Sequence, residues 1–378
     1  MRLKVLALCL LAGFGSSAAA QDGTQSLQQA LKQIPQVVLS NPEAMQVVFM
    51  DVQAWRGLEK IGPSADGMRR LAFAQMIRPI ESIGYGLDQW SLNAKVSFDD
   101  VSYFAGFGQA PFNISYWGLK DKQAVGKLIT SLKQSDFATV DGGAPGLIAN
   151  GADGQMDMKK ANAKDPWRGM MGKSSFVLPL DTALIQASSA AGMKTLAQPT
   201  PSVADSEVVA ASVAGLRAAV PSDRGQIVQA AVISPVMGLT AVDPAKVLHS
   251  SGGDIESAKR NMKAAVEANS RGIPAYFSGI IADAQIDNAP ALVVSLSYAD
   301  CDTAKQAVDG IGAAWKESMA SAVEAKVSGR TVEAGKLCAA VVTLISPKAE
   351  NAGNPILSQV MNRYMQRQFT LLQIGSAR

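Results

Sequence analysis

The sequence predicts an α+β protein made of two lobes, each an antiparallel sheet with helices on one face. Apolar runs of strand length, such as Met45–Asp51 and Leu337–Ile345, recur along the chain. Between them lie amphipathic stretches with an apolar stripe, the clearest of which follows Asp121. Short connections such as Gln285–Ala289 join neighbouring strands and are typical of antiparallel hairpins rather than of βαβ units.

The first twenty residues have the pattern of a cleaved secretory signal peptide. A short basic segment, Met1–Lys4, precedes the apolar run Val5–Phe14, and Ala18–Ala20 forms a small-residue cleavage site. An apolar run of this length is too short to span the ~30 Å hydrocarbon core of a bilayer. The sequence therefore predicts export to a bacterial periplasm after cleavage near Ala20.

The remaining chain is long enough for two domains, which we place at residues 21–200 and 201–378. The run Pro199–Pro201 is the best candidate for the linker between them. Without Arg2 and Lys4 the chain carries 33 basic and 32 acidic side chains and has no long run of one sign. This argues against a nucleic-acid partner, which needs clustered cations. The mature chain is also expected to have no transmembrane anchor.

In the N-terminal half, apolar spacing and turn residues define the elements. Helix Gly67–Ile77 is expected to stop at Arg78-Pro79, because a residue before proline is disfavoured in a helix. Helices are predicted over Gln25–Gln33, Gln53–Ile61, Gly67–Ile77, Asp121 to Leu132, Ser189–Leu196 and Asp205–Arg217, and strands over Met45–Asp51, Ala94–Phe98, Asn113–Trp117, Phe137–Val140, Gly146–Ala149, Ser175–Val177 and Ala183–Ala187.

The C-terminal half repeats part of this order. Strands are predicted over Gln226–Ile233, Ile273–Ala284, Pro290–Tyr298, Val323–Val332 and Leu337–Ile345, and helices over Gly252–Asn269, Cys301–Met319 and Pro355–Arg367. Both Phe112–Ala149 and Ala291–Ile345 read as an apolar strand, an Asp-led helix and a return hairpin. This shared order suggests an internal duplication.

Cys301 and Cys338 are the two cysteines left after removal of the signal peptide. In an oxidising compartment an even pair reads first as a disulfide. One cysteine follows the strand Pro290–Tyr298 and the other opens the strand Leu337–Ile345. If these strands pair antiparallel, the two cysteines lie side by side. We therefore predict that they are bonded.

The sequence pairs an aromatic turn punctuated by glycine and proline with a Trp-Gly-Leu strand end, and it adds a helix-opening Ser-Val-Ala-Asp run. The residues of this pattern are Gly106, Gly108, Pro111, Trp117, Gly118, Leu119 and Ser202–Asp205. In this pattern the chain resembles uncharacterised secreted bacterial proteins with no assigned activity. The resemblance covers about residues 40–220. It implies an α+β fold in the bacterial envelope and provides no active site to transfer.

Seven of the 22 aromatic residues lie between Phe98 and Trp117. Most of them are typical of a core, but the excess in the predicted turn is a candidate ligand-contact surface. Its members are Tyr103, Phe104, Phe107 and Phe112. Asp99 and Asp100 beside this turn raise the alternative of a carboxylate-based hydrolase acting on an envelope polymer, which needs two acids facing one substrate.

Four methionines lie within the polar segment Asn150–Gly172, which we interpret as a long hairpin loop or an exposed flap. They are Met156, Met158, Met170 and Met171. Thioether sulphurs suit soft ions such as Cu(I), so a copper or small-ligand site is a second alternative. Packing in the loop is the other interpretation, because methionine is a common gap-filling residue.

Other catalytic constellations find no support in the sequence. His249 is the only histidine, so a His-based zinc site lacks ligands, and no Gly-x-Ser-x-Gly elbow accompanies it. Gly172-Lys173-Ser174 lacks the upstream glycine of a phosphate-binding loop, because Trp167 stands there. We expect no cofactor and favour a non-enzymatic binding or structural protein of the envelope, with an envelope protein or cell-wall component as its partner.

Overall fold

An antiparallel sheet of twelve strands joins both halves of the chain in the computed structural model. The structure describes residues 23–60, 62–108, 113–196, 200–239, 254–268, 271–347, 351–366 and 370–377. The predicted signal peptide, residues 1–20, lies outside these residues. Within them the fold is mixed α+β, as predicted.

The strands, numbered along the chain, have the following bounds. They are β1 Met45–Asp51, β2 Val101–Phe107, β3 Ile114–Leu119, β4 Ala138–Thr139, β5 Ile148–Ala149, β6 Phe176–Pro179, β7 Ala183–Ala187, β8 Gly225–Ile233, β9 Arg271–Gly272, β10 Gly279–Ile286, β11 Ala289–Tyr298, β12 Lys326–Ala334, β13 Leu337–Ile345 and β14 Ser376–Ala377. The order in the large sheet is β12, β13, β11, β10, β8, β1, β2, β3, β7, β6, β5, β4, whereas β9 and β14 form a separate parallel pair.

The α-helices among the described residues are short or of medium length. They are α1 Gln25–Gln33, α2 Val52–Arg56, α3 Ala65–Arg70, α4 Arg78–Gly86, α5 Trp90–Ala94, α6 Lys122–Gln134, α7 Met193–Leu196, α8 Glu207–Ala219, α9 Ile255–Ala268, α10 Cys301–Ser318 and α11 Pro355–Met365. Asp121 and Asp300 cap α6 and α10, each accepting a hydrogen bond from a backbone N–H three residues on.

Helices cover both faces of the sheet, which gives the protein two cores. One core packs α4, α5, α6, α10 and α11 against the sheet, and the other packs α1 and α8. Strand β11 shows why helices are needed on both faces of the sheet. All ten of its residues are buried, and both of its faces are mainly apolar. Our expectation of helices on one face of each sheet was wrong for this reason.

The two-lobe arrangement is not confirmed. Strand β1 of the N-terminal half pairs antiparallel with β8 of the C-terminal half, with Phe49 opposite Ala230. Hydrogen bonds therefore continue across the sheet from one half to the other. In each half, the strand at the junction (β1 or β8) is followed by a helical segment, a hairpin and a further helix. This shared order does not confirm a duplication. The boundary near residue 200 stays a prediction.

The aromatic segment after Asp100 is a strand, not the turn we expected. Val101–Phe107 forms β2, at the middle of the sheet, whereas residues predicted as the strand Ala94–Phe98 belong to the end of α5 and a following turn. The glycine that suggested a turn, Gly106, lies within β2, where a Cβ would be 2.7 Å from the Ile114 carbonyl oxygen of β3. Close approach of the two strands thus requires glycine here.

Arg78-Pro79 begins a helix instead of ending one. Proline occupies one of the first two positions of α4, where its missing N–H has no intrahelical partner to lose. The predicted helix Gly67–Ile77 is correspondingly split into α3 and a single turn at Ala74–Met76. Pro79 does mark a helix boundary, but it marks the start of α4 and not the end of the helix before it.

The disulfide between Cys301 and Cys338 is confirmed. Cys338 is the second residue of β13 and lies opposite Tyr298, the last residue of β11, whereas Cys301 begins α10 three residues after Tyr298. The bond therefore links the N-terminus of α10 to β13, which is the neighbour of β11 in the sheet. A disulfide fits an oxidising compartment.

Replacing both cysteines with serine is expected to lower the free energy of unfolding by about 2–4 kcal/mol. The bond joins residues 37 positions apart, so its removal returns conformational freedom to the unfolded chain. Urea unfolding followed by tryptophan fluorescence measures the difference between oxidised wild type and C301S/C338S. Reduced wild type is the matched control, and equal midpoints for all three proteins would contradict the expectation.

Candidate functional site

The predicted aromatic contact residues do not share a surface. Tyr103 and Phe104 are adjacent on β2 and therefore point to opposite faces, and both are buried. Phe104 packs edge-on against Trp117 at 5.1 Å between ring centroids, whereas Tyr103 lies in the other core, 6.1 Å from Phe49. Phe107 is half-buried on the same strand. Phe112 lies outside the described residues, and a binding role for the four stays a prediction.

The carboxylates of the hydrolase alternative are each held by a cation. Asp99 accepts a hydrogen bond from the Arg56 guanidinium at 2.6 Å, and Asp100 pairs with the Lys120 ammonium. The Lys120 hydrogen bond lowers the pKa of Asp100, whereas a general acid needs a raised pKa. The geometry gives this alternative no support. His249 lies outside the described residues.

A mostly apolar groove opens at the end of the sheet where β1 begins and β8 ends. Its volume is about 730 Å³. Its walls come from the turn after α1, the end of α7, the start of α8 and the segments that follow β8 and precede β10. The apolar lining comprises Pro35, Val37, Leu39, Leu196, Val208 and Phe277, with Pro201 and Pro235 beside them.

Two large apolar side chains at this groove face solvent. Val37 is 70% exposed and Phe277 is 51% exposed. Single exposed apolar residues are ordinary on protein surfaces, but two that line one concave site mark a candidate binding surface. Covering a side chain of this size contributes about 1.5–3 kcal/mol when burial is complete. The groove therefore offers apolar surface that the described residues leave uncovered.

Two of the polar side chains that line the groove, Gln46 and Ser234, donate hydrogen bonds within the protein. The Gln46 amide donates to the carbonyl oxygens of Leu39 and Asn41 at 2.7 and 2.9 Å. The Ser234 hydroxyl donates to the Glu43 carbonyl at 2.7 Å. An apolar molecule lying over these groups would leave neither of them without a partner, and so would avoid the usual cost of burying a polar group.

The groove depends on contact between two distant segments. The Gln36 backbone N–H donates to the Pro201 carbonyl at 2.8 Å, and the Val203 N–H donates to the Ile34 carbonyl at 2.8 Å. These bonds tie the turn after α1 to the segment before α8. The wall that carries Val37 is thereby fixed relative to Val208.

A polar cleft of about 480 Å³ lies at the opposite end of the same strands. Asp51, at the end of β1, lies in its wall, and burial raises the pKa of this carboxyl group. Asp51 also caps α2 by accepting a hydrogen bond from the Ala54 N–H at 2.8 Å. The Arg224 guanidinium, which also lines this cleft, lies 3.6 Å from the Asp287 carboxylate. Asp51 and Arg224 thus each have a partner within the protein.

The methionines of the polar loop are all exposed. The exposed fractions are 54% for Met156, 64% for Met158, 46% for Met170 and 49% for Met171. The loop folds back on itself, so that Met156 bridges to Lys173. The prediction of a long hairpin loop agrees with this arrangement, whereas metal binding by the methionines stays a prediction.

Sequence reasoning missed the groove because its parts are far apart in the chain. Val37 lies in the run Val37–Leu39 after Pro35, and Phe277 lies in what we took for the start of a strand. The one available signal was an apolar run that fitted no predicted helix or strand.

Comparisons with known proteins give little further guidance. No protein-family model matches the sequence, and no curated protein matches it. Among solved structures, crystal form IV of the Treponema protein TP0453 aligns with 83% of this chain and 94% of its own, at 12% identity and a TM-score of 0.33. A similarity at this level is no basis for a functional argument. No helix among the described residues has the length and apolar character needed to cross a membrane.

Proposed function

We propose that this chain is an exported, non-enzymatic binding protein of the bacterial envelope, and that its apolar groove holds a small lipid-like molecule. The observation that carries the proposal is the 730 Å³ groove with Val37 and Phe277 exposed at its surface. Small-molecule sites are typically concave, mostly apolar and about 300–1,000 Å³ in volume. The groove falls within that range.

The lining favours a ligand with an apolar body and a small polar group. Apolar side chains form most of the walls, while hydroxyl and amide groups such as Ser40, Thr195 and Gln36 lie among them. A few polar groups in an apolar site set the orientation of a bound molecule. No charged side chain lines the groove among the described residues, so a charged head group would be left at the opening.

Support for an envelope location comes from the N-terminal sequence and the disulfide. The basic segment, apolar run and small-residue site before Gln21 have the order of a secretory signal. The bond between Cys301 and Cys338 fits an oxidising compartment such as the periplasm. Both features favour a ligand drawn from the envelope.

Replacing Phe277 with aspartate is expected to weaken binding of an apolar fluorescent probe, N-phenyl-1-naphthylamine, at least 10-fold. A carboxylate in the groove would have to lose water when the probe binds. Probe fluorescence is measured as a function of protein concentration, and oleic acid is then added as a competitor. We expect saturable binding to the wild type that oleic acid displaces.

Leu92→Asp is the matched control, because Leu92 is 69% exposed on α5, which packs on the other face of the sheet. Its probe affinity should equal that of the wild type. Equal affinity of the wild type and Phe277→Asp would overturn the proposal, as would a wild-type protein that binds no probe. Far-UV circular dichroism of each variant shows that the fold is retained.

A further inference from the structure

The polar loop between β5 and β6 carries four exposed methionines on two segments of chain. Met156 and Met158 lie on the outgoing segment, and Met170 and Met171 lie on the returning one. Buried methionines elsewhere behave differently, since Met50 and Met193 are fully buried in the two cores. Packing therefore does not account for the loop methionines, each of which is 46–64% exposed.

Backbone hydrogen bonds hold these two segments side by side. The Asp157 N–H donates to the Gly172 carbonyl at 3.0 Å, and the Ser174 N–H donates to the Gln155 carbonyl at 2.9 Å. Gly172 has a φ of +60°, and a Cβ there would lie 2.0 Å from the Asp157 carbonyl oxygen. Only glycine allows this approach. Met156 and Met158 are the chain neighbours of Asp157, and Met171 directly precedes Gly172.

The chemistry of this loop selects a soft ion. Thioether sulphur binds Cu(I) and related soft ions and has little affinity for hard cations. Methionine has three rotatable side-chain bonds, so sulphurs carried by two adjoining segments can turn toward one ion. No group of three His, Cys, Asp or Glu side chains that could hold a metal occurs in the described part of the chain.

We infer that the paired methionine segments form a binding site for a soft monovalent metal ion, of the Cu(I) and Ag(I) class. The ligands are thioether sulphurs of Met156, Met158, Met170 and Met171. The four side chains are each about half exposed, so an ion can reach them from solvent. The site is separate from the apolar groove and does not depend on it.

Titration of the mature oxidised protein, residues 21–378, with silver nitrate in chloride-free buffer without reductant tests this inference; this form lacks the thiol of Cys9, which would itself bind silver. Silver is a suitable probe because it needs no reductant, so the disulfide stays intact. Calorimetry is expected to show saturable binding to the wild type. In the variant with all four methionines changed to leucine, binding should weaken at least 10-fold, because leucine keeps the apolar volume and removes the sulphur.

Met365→Leu is the matched control, since Met365 is 75% exposed on α11; it should bind silver as the wild type does. X-ray absorption of the silver complex should show sulphur neighbours that the four-leucine variant lacks. Unchanged affinity in the four-leucine variant, or a silver environment of nitrogen and oxygen alone, would overturn the inference. Phe277→Asp should bind silver normally, so failure of one proposal does not affect the other.

Discussion

Replacing Asp283 with alanine is expected to lower the free energy of unfolding by about 3–5 kcal/mol, the largest effect that we predict for a single charged residue. Asp283 lies within β10, and its carboxylate forms an ion pair with the Arg70 guanidinium at 2.7 Å. Both side chains are fully buried. Removing one partner would leave an uncompensated charge inside the protein.

The surrounding hydrogen bonds show why the pair is tolerated in the core. The Arg70 guanidinium also donates to the carbonyl oxygens of Ala284 and Ala352, at 3.0 and 3.1 Å. The amides of Asn354 and Gln229 donate to the Asp283 carboxylate at 2.8 and 3.1 Å. Each charge is thereby satisfied by several partners from α3, β8, β10 and the segment before α11.

The double variant Arg70→Met/Asp283→Leu distinguishes the destabilisation caused by an unpaired buried charge from the destabilisation caused by lost packing. It should be more stable than Asp283→Ala, because neither charge remains and most of the volume is kept. Urea unfolding at neutral pH gives both values. A change below about 1 kcal/mol for Asp283→Ala would contradict the burial and pairing of these groups.

Replacing Trp117 with alanine is expected to lower the free energy of unfolding by about 3–5 kcal/mol, since it removes a large buried ring and leaves a cavity. Trp117 is fully buried on β3 and stacks on Trp167 and Trp90, with ring centroids 4.5 and 5.6 Å away. Its indole N–H donates to the Gln186 side-chain carbonyl at 2.9 Å. The substitution would also leave that buried oxygen short of a partner.

Leu92→Ala, on the neighbouring helix α5, is the control for the Trp117 variant. Leu92 is 69% exposed, so its truncation should change stability by no more than about 0.5 kcal/mol. Thermal unfolding by calorimetry measures both variants. A Trp117→Ala protein as stable as Leu92→Ala would show that the aromatic stack is not part of the core.

Local pattern was sufficient for most elements. Met45–Asp51, Gln25–Gln33 and Leu337–Ile345 have the predicted bounds, because each combines a strong apolar pattern with clear end signals. The disulfide was predictable for a related reason, since Cys301 follows β11 and Cys338 lies at the start of β13, and these two strands pair antiparallel. These features depend on short-range sequence or on strands that are neighbours in the sheet and close in the chain.

Features that depend on distant parts of the chain could not be predicted. Strand β2 is buried on both faces and therefore lacks the alternation that identifies a half-exposed strand. The pairing of β1 with β8 joins residues about 180 positions apart, with Phe49 opposite Ala230, and no local pattern specifies it. The groove needs Val37 and Phe277 to line one site, which depends on this pairing, on the pairing of β8 with β10 and on the contact between the turn after α1 and the segment before α8.

The most direct test of the binding proposal is a crystal structure of the wild-type protein with a brominated fatty acid, located by anomalous scattering from bromine. We predict a bromine peak inside the apolar groove, within contact distance of Phe277 or Leu196, and its disappearance in crystals of Phe277→Asp. A bromine site elsewhere on the protein, with the groove empty, would contradict the account.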